Sequence, residues 1–325
     1  MNEQKLSFSK QIKEELLNKA ITDDEIAISF LAGIISSIGK IEISKENVSV
    51  NCITDVAGLY DYTNKILKML YGDYATLEIV EKSIINKTLY YNIEFPQDKT
   101  IQILKDTELI ELTPQGYKTK SIDGHILNSH EKQIAFITAV FLATSTNSIK
   151  ISENPNEKTA SGYHLEFTSH NKEFLTDFNT LLASHNIFAR LIERKKLFVI
   201  YLKDAQSISD LLALMGASEA VLTLQNEIVT REMRNAVNRQ VNCMSANISK
   251  TVGANMKQLE AIEIIASTIG LDSMSEELQE VALLRLANTE ESLQDLVKLS
   301  SLPLTKSGIN HRMRKILKIA EELKE

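Results

Sequence analysis

Between Thr305 and Lys318 stand five cations, Lys306, Arg312, Arg314, Lys315 and Lys318, and no acid. Cations gathered in this way bind phosphate, because each neutralised phosphate releases condensed counterions. Ile309, Met313, Ile316, Leu317 and Ala320 recur at helical spacing and predict a helix with one buried stripe. At 100° per residue the opposite face gathers Ser307, Gly308, His311, Arg314, Lys315 and Lys318, with Lys306 at the N-terminus and Arg312 on the flank. Thr305 is the expected N-cap. Gly308 costs up to ~1 kcal/mol of helix propensity relative to alanine, which suggests close approach to another backbone or to a groove. Leu293, Leu296, Val297 and Leu299 mark a helix just before, and the Ser300–Pro303 connection completes a helix-turn-helix. In such a unit the second helix enters the major groove with its N-terminal residues nearest the base edges. Ser307, Asn310, His311 and Arg314 are then candidates for base contact, and Lys306, Arg312, Lys315 and Lys318 for phosphate. The competing interpretation is a basic, solvated C-terminal helix.

No other chemistry stands out. Cys52 and Cys243 have no thiol or histidine nearby at metal-ligand spacing, so neither a zinc site nor a structural disulfide is expected. No glycine loop cradles phosphates, and no cofactor is expected. The net charge of -7 does not advertise nucleic-acid binding, but an acidic total can hide a basic patch. Residues 1–217 carry a net -5 and residues 218–325 a net -2, so the acid-free run near the C-terminus is the sharpest asymmetry. The apolar stretch Phe30 to Ile35 is far too short to span a bilayer, and the charged N-terminal segment lacks the apolar core of a signal peptide. A cytoplasmic, nucleoid-associated protein is the expectation.

The elements needed to position this chemistry form a pattern stated twice. A helix over 7–20 precedes a helix at 24–37, strands from Lys40 and Asn47, a helix at 55–70, strands from Ala75 and Thr88, and a helix at 98–106. After a loop-like stretch from Thr107 to Ser129 comes a helix at 131–144, strands near 147–152 and 162–168, and a helix at 171–185. Strands near 187–193 and 197–202 and a helix at 204–215 close the second copy. The order αββαββα, twice, predicts an α+β pseudo-twofold domain with two sheets. From Ser218 to about Gly270 the pattern is helical, with Leu222, Ile228 and Met233 as apolar anchors; three short helices follow at 275–287, 290–299 and 305–323.

Within this duplication, Phe30 to Gly39 (FLAGIISSIG) resembles the LAGLIDADG motif of homing endonucleases. Ala32, Gly33 and Ser36 are small enough for two helices to cross closely, and the partner is the segment from Ile137 to Ser145. In the nucleases the end of such a helix delivers an acid to a divalent metal; here Ile38 and Thr144 occupy those positions. A metal-dependent phosphodiesterase needs carboxylates, so no catalytic residue and no metal ligand is assigned. The polar face of the first sheet, Lys40, Glu42, Asn51, Glu78, Asn92 and Glu94, leans acidic and makes a poor DNA saddle. Lys150, Arg190, Arg194, Lys195 and Lys196 make the second repeat the better auxiliary anionic contact, although a solvated hairpin is the simpler account.

The whole chain resembles the WhiA family of bacterial regulators. The resemblance rests on SFSKQIKEELL from Ser7, FLAGIISSIG from Phe30, AVFLATSTNS from Ala139, NRQVNCMSANISKT from Asn238 and LPLTKSGINHRMRKIL from Leu302. At Ala139, Thr144 and Ser145 the second motif departs from the family's glycines, which puts the tightness of helix crossing in doubt. The resemblance implies a degenerate LAGLIDADG-like domain over 1–217, a helical linker over 218–270 and an all-α helix-turn-helix domain over 271–325. It also implies a non-enzymatic, sequence-specific transcription regulator that binds promoter DNA and is tied to cell division and sporulation. Arg231, Arg234, Arg239 and Lys250 in the linker are candidates for an auxiliary DNA contact, or for an interdomain hinge or docking segment. The rival expectations are a metal-dependent endonuclease drawing acids from Asp55 or Glu153, and a scaffold that recruits RNA polymerase, another regulator or division proteins.

Overall fold

Side-chain oxygens ahead of apolar periodic runs start the main helices of the N-terminal part. Ser7, Asp23 and Ser129 each accept a backbone N–H from three residues on, opening α1 (Phe8–Leu17), α2 (Asp24–Ile38) and α5 (His130–Thr144). The computed structural model describes residues 7–44, 47–81, 89–114, 116–121, 124–152, 162–300 and 303–324. Glu153, Ser301 and Leu302, which figured in the sequence expectations, lie outside the described residues. The chain divides into two compact units, Met1–Arg231 and Glu232–Glu325.

In the first unit, α2 is followed by β1 (Gly39–Ile43), β2 (Val48–Thr54), α3 (Ala57–Tyr71), β3 (Thr76–Glu81), β4 (Leu89–Glu94) and α4 (Thr100–Asp106). A hairpin of β5 (Ile110–Thr113) and β6 (Gly116–Thr119) intervenes. Then α5 leads into β7 (Ser145–Asn147), β8 (Leu165–Ser169), α6 (Lys172–Ser184), β9 (Arg190–Arg194), β10 (Leu197–Leu202) and α7 (Ala205–Leu214). The antiparallel sheets are ordered β1-β2-β4-β3 and β7-β8-β10-β9, the same topology twice. The αββαββα duplication is therefore present. Two expectations are corrected. The stretch after Thr107 is not all loop, because four-residue strands pair there, a length too short to give a clear alternation. The strand placed near 147–152 instead begins at Ser145, because the chain leaves α5 directly in extended backbone, as it leaves α2 at Gly39.

The core of this unit is built where α2 and α5 cross and the inner sheet faces close over them. Phe30, Leu31, Ile34 and Ile35 from α2, and Phe136, Ile137, Val140 and Phe141 from α5, are fully buried there. A Cβ on Gly33 would stand 2.7 Å from the Ala139 Cβ and 2.8 Å from the Phe136 carbonyl oxygen. Gly33 thus supplies the clearance for close backbone approach, and Ala139 needs no glycine of its own.

A single helix, α8 (Ser218–Thr268), follows. Its first turn is capped by Glu15, whose carboxylate accepts the N–H groups of Glu219 and Ala220 at 2.9 Å each. Ala220, Leu224 and Glu227 are buried and Ile228 packs on the core, whereas Leu222 and Met233, expected as anchors, are about two-thirds exposed. The docked face lies about 140–240° round the helix from Leu222, which apolar composition alone did not specify. Towards its C-terminus α8 buries Ala261, Ile262 and Ile265 in the core of the second unit. That core is completed by α9 (Glu276–Ala287), α10 (Leu293–Leu299) and α11 (Lys306–Glu322). Among the described residues no helix is long and apolar enough to cross a membrane.

Candidate nucleic-acid interface

The last three helices are held by an apolar core and one buried polar network. Leu278, Val281, Leu296, Ile309, Met313 and Ile316 pack together, and α11 rests on both α9 and α10. Arg285 on α9 is fully buried. Its guanidinium donates to Gln258 Oε1 at 3.0 Å and to the carbonyls of Asn288 and Glu291 at 3.1 and 2.7 Å. Asn255 donates to the carbonyls of Thr289, Glu290 and Glu291 from the other side. Two α8 side chains and one α9 side chain therefore fix the α9–α10 connection, satisfying backbone oxygens that a loop would otherwise leave to water. Burial pulls the Arg285 pKa below its ordinary value, and the Glu291 carboxylate opposes that shift. None of these three was singled out from the sequence; Arg285 carried no signal separating a buried clamp from a solvated charge.

The α11 helix starts at Thr305, whose hydroxyl oxygen accepts the Gly308 N–H at 3.1 Å. Ile309, Met313, Ile316 and Ala320 are buried and Leu317 partly so, which leaves the opposite face to solvent. Lys306, Ser307, His311, Arg314, Lys315 and Lys318 are exposed, and Asn310 is half-buried. Lys306, Arg314 and Lys315 form no salt bridge among the described residues, while Lys318 stands 3.6 Å from Glu322. Arg312 differs: it is mostly covered and paired with Glu277 of α9 at 3.2 Å. Its charge is partly spent on fastening α11 to α9. Gly308 meets no other backbone, since the neighbour of an added Cβ would be its own capping hydroxyl, at 3.4 Å.

The four auxiliary cations on α8 separate in the same way. Arg231 donates to Glu227 at 2.5 Å and to the Lys150 carbonyl at 2.6 Å, and lies over the Tyr163 ring. Burial alone would raise the Glu227 pKa, but hydrogen bonds from Ser152 and Arg231 hold it below the usual carboxylate value. Arg234 is half-buried and engaged within the chain. Arg239 and Lys250 are exposed.

In the first unit Ile38 and Thr144, at the positions where homing endonucleases carry acids, are engaged in packing and in the helix. Ile38 packs against the core, and the Thr144 hydroxyl donates to the Val140 carbonyl one turn back. Beside the end of α2 lies a hollow of about 370 Å³ whose rim includes Lys120, Glu173 and Asp177; both carboxylates come from α6, not from the motif helices. Asp55 is exposed at the end of β2. Among the described residues no group of three or more His, Cys, Asp or Glu is placed to hold a metal ion. Strand register places Lys40, Glu42, Asn51, Glu78, Asn92 and Glu94 on one face of the first sheet. On the second sheet, Glu166 sits amid the basic face, 3.0 Å from His164 and 3.6 Å from Arg194.

Residues 134–234 match the model of the WhiA LAGLIDADG-like domain, and residues 237–320 that of the WhiA C-terminal HTH domain. A relative from Clostridium botulinum, named probable cell division protein WhiA, is 36% identical over 98% of this chain and 99% of its own. The chain belongs to the WhiA family. A Clostridium perfringens relative of the same name is 35% identical with the same coverage. The crystal structure of full-length DUF199/WhiA from Thermatoga maritima matches with a TM-score of 0.56 and 27% identity, covering 98% of this chain and 99% of that one. The WhiA match joins a LAGLIDADG-like domain to a helix-turn-helix in one chain, the order read from the sequence. It also assigns to the HTH model a long part of α8, from residue 237, as the Arg285–Asn255–Gln258 network would require.

Proposed function

We propose that this WhiA-family chain is a sequence-specific, DNA-binding transcription regulator that does not cleave DNA. The observation that carries the reading is the solvent face of α11: four exposed cations and three polar side chains on a helix fastened along its other side to a helix-turn-helix core. Lys306, Lys315 and Lys318 are assigned to phosphates, and Ser307, Asn310, His311 and Arg314 to base edges of double-stranded promoter DNA. Arg312 acts mainly as a fastener to Glu277. The auxiliary contact falls to Arg239 and Lys250, with Arg231 and Arg234 committed inside the chain. Functionally, residues 1–217 serve as scaffold and 218–270 as the connecting segment. Residues 271–325 form the DNA-binding part, whose core the connecting helix helps to build. The names of the relatives favour a role in cell division, and the family resemblance adds sporulation. Such a protein works in the cytoplasm on the nucleoid, where RNA polymerase or another regulator is its neighbour at a promoter.

The chemistry at the two motif positions speaks against the nuclease alternative. Isoleucine cannot ligate a metal, and the Thr144 hydroxyl is already used by its own helix. The deciding experiment incubates promoter fragments with the full chain, with and without Mg²⁺, and compares it with Arg314→Ala plus Lys315→Ala. Specific binding that is lost in the variant, with the DNA left whole, is the expected result. Mg²⁺-dependent nicking by the wild-type chain would overturn the non-enzymatic reading.

A further inference from the structure

Along α8, Met233, Val237, Val241, Met244, Ile248 and Val252 are each between 50% and 66% exposed. At 100° per residue they fall within an arc of about 100°, a contiguous apolar stripe turned to water. Exposed stripes of this kind mark interaction surfaces. Arg239, Lys250 and Lys257 lie on the opposite side within about 20° of one another, and Arg234, which stands at the stripe's edge, is engaged within the chain.

The spacing of the stripe is a palindrome. Extended by exposed Val229 and Met256, its steps are 4, 4, 4, 3, 4, 4 and 4 residues, symmetric about a point between Asn242 and Cys243. We propose that this face pairs with the same face of a second copy of the chain, antiparallel, about a twofold axis at that point. Such pairing sets Val241 against Met244, Val237 against Ile248 and Met233 against Val252. Every opposition then joins a valine to a larger side chain, so the two surfaces interdigitate. The same operation places Arg234 opposite Thr251 and leaves Arg239 and Lys250 on the far side of each helix, so that no cation faces a cation. Asn238 meets Asn247, two amides able to exchange hydrogen bonds. An isologous contact requires this self-complementarity, and a random apolar stripe lacks it.

The area suffices for a modest dimer. The six central residues expose roughly 600 Å² per helix, so pairing removes on the order of 1,000 Å², near the lower edge for a specific interface. Because the stripe winds round the helix, the two copies cross rather than run side by side. Paired chains carry two helix-turn-helix units, the arrangement that reads two half-sites.

The test uses the full chain in sedimentation velocity from 1 to 100 µM, with the double substitution Val241→Glu plus Met244→Glu as control. Wild type is expected to show a concentration-dependent dimer, and the variant to dissociate at least tenfold more readily with an unchanged circular dichroism spectrum. Orientation is read by disulfide formation in a Cys243→Ser background. Val237→Cys plus Ile248→Cys should give a covalent dimer, since residues 11 apart on one helix are roughly 16 Å distant and cannot bond each other. Each single cysteine should stay unlinked. A wild-type chain that is monomeric throughout, whether the stripe is solvated or covered by its own chain, overturns the proposal. So does a dimer indifferent to the double substitution, or one cross-linked by Val237→Cys alone, which signals parallel pairing.

Discussion

Removing the Arg314 and Lys315 side chains should cut the salt dependence of DNA binding by about a third. Lys306, Lys315 and Lys318 are exposed on the α11 face and are the phosphate contacts, with exposed Arg314 on a base edge. If each lysine neutralises one phosphate, log affinity falls with log salt at about -0.9 per contact, a slope near -2.7. Between 50 and 200 mM salt the wild-type chain should therefore lose about 40-fold in affinity. Arg314→Ala plus Lys315→Ala leaves two phosphate contacts, a slope near -1.8 and a loss of about 12-fold over the same range. Fluorescence anisotropy on a labelled promoter duplex reads both slopes. Arg312→Ala is the internal control, because its guanidinium is already paired with Glu277. It should leave the slope nearly unchanged while costing on the order of 1 kcal/mol of stability in thermal unfolding. If the double variant keeps the parental slope, α11 is not the DNA face. If Arg312→Ala flattens the slope as much as the loss of an exposed cation does, the division between fasteners and contacts is wrong.

Gly33→Ala should destabilise the N-terminal unit by about 1–3 kcal/mol or more, because its Cβ must displace Ala139 and the Phe136 carbonyl; calorimetry should show an earlier transition. Gly308→Ala should stabilise α11 by up to about 1 kcal/mol, since its Cβ has room, yet weaken DNA binding if the helix backbone approaches a groove there. Stabilisation with unchanged affinity would remove that reason for the glycine. His185 lies 5.2 Å from His130 between ring centroids, and burial first, then the charge of His130, lowers its pKa. Its unfolded form titrates near ~6.5, so protonation favours unfolding. Stability should be fully present above that pH and decline as pH falls through it towards the folded value, a loss that His185→Asn should abolish in urea titrations at pH 7.5 and 5.5.

Much of the architecture was legible in the sequence because its signals are local. Thr305 announces a helix start through its own hydrogen bond, and the alternation in β2 follows directly from one wet and one dry face. What composition could not show was which way a long helix faces. Leu222 and Met233 look like anchors in the sequence, but burial on α8 goes to Ala220, Leu224 and Glu227, set by Glu15 at the helix start and by the Ser152 and Arg231 partners of Glu227. Cations posed the same difficulty. Arg231 and Arg312 read as candidate DNA contacts and Arg285 drew no attention, and only long-range partners at Lys150, Gln258 and Glu277 distinguish them from Arg314 and Lys315. Partner contacts separated by tens of residues leave no periodic trace.

The LAGLIDADG-like helices separate what packing requires from what cleavage would require. Packing and catalysis in that motif depend on different residues of one helix. Close crossing needs a small residue in the middle, met by Gly33 against Ala139. Cleavage needs an acid at the end, where Ile38 and Thr144 now stand. Replacing an acid by isoleucine at a helix end beside a core gains apolar burial and removes like-charge repulsion between two neighbouring carboxylates, so its loss stabilises the crossing. Converting Ile38 and Thr144 together to aspartate should therefore lower the melting temperature of the N-terminal unit, and the cost should shrink when Mg²⁺ is added if the pair still converges on one point. A melting temperature indifferent to Mg²⁺ would mean that the two ends have drifted apart as well as lost their acids.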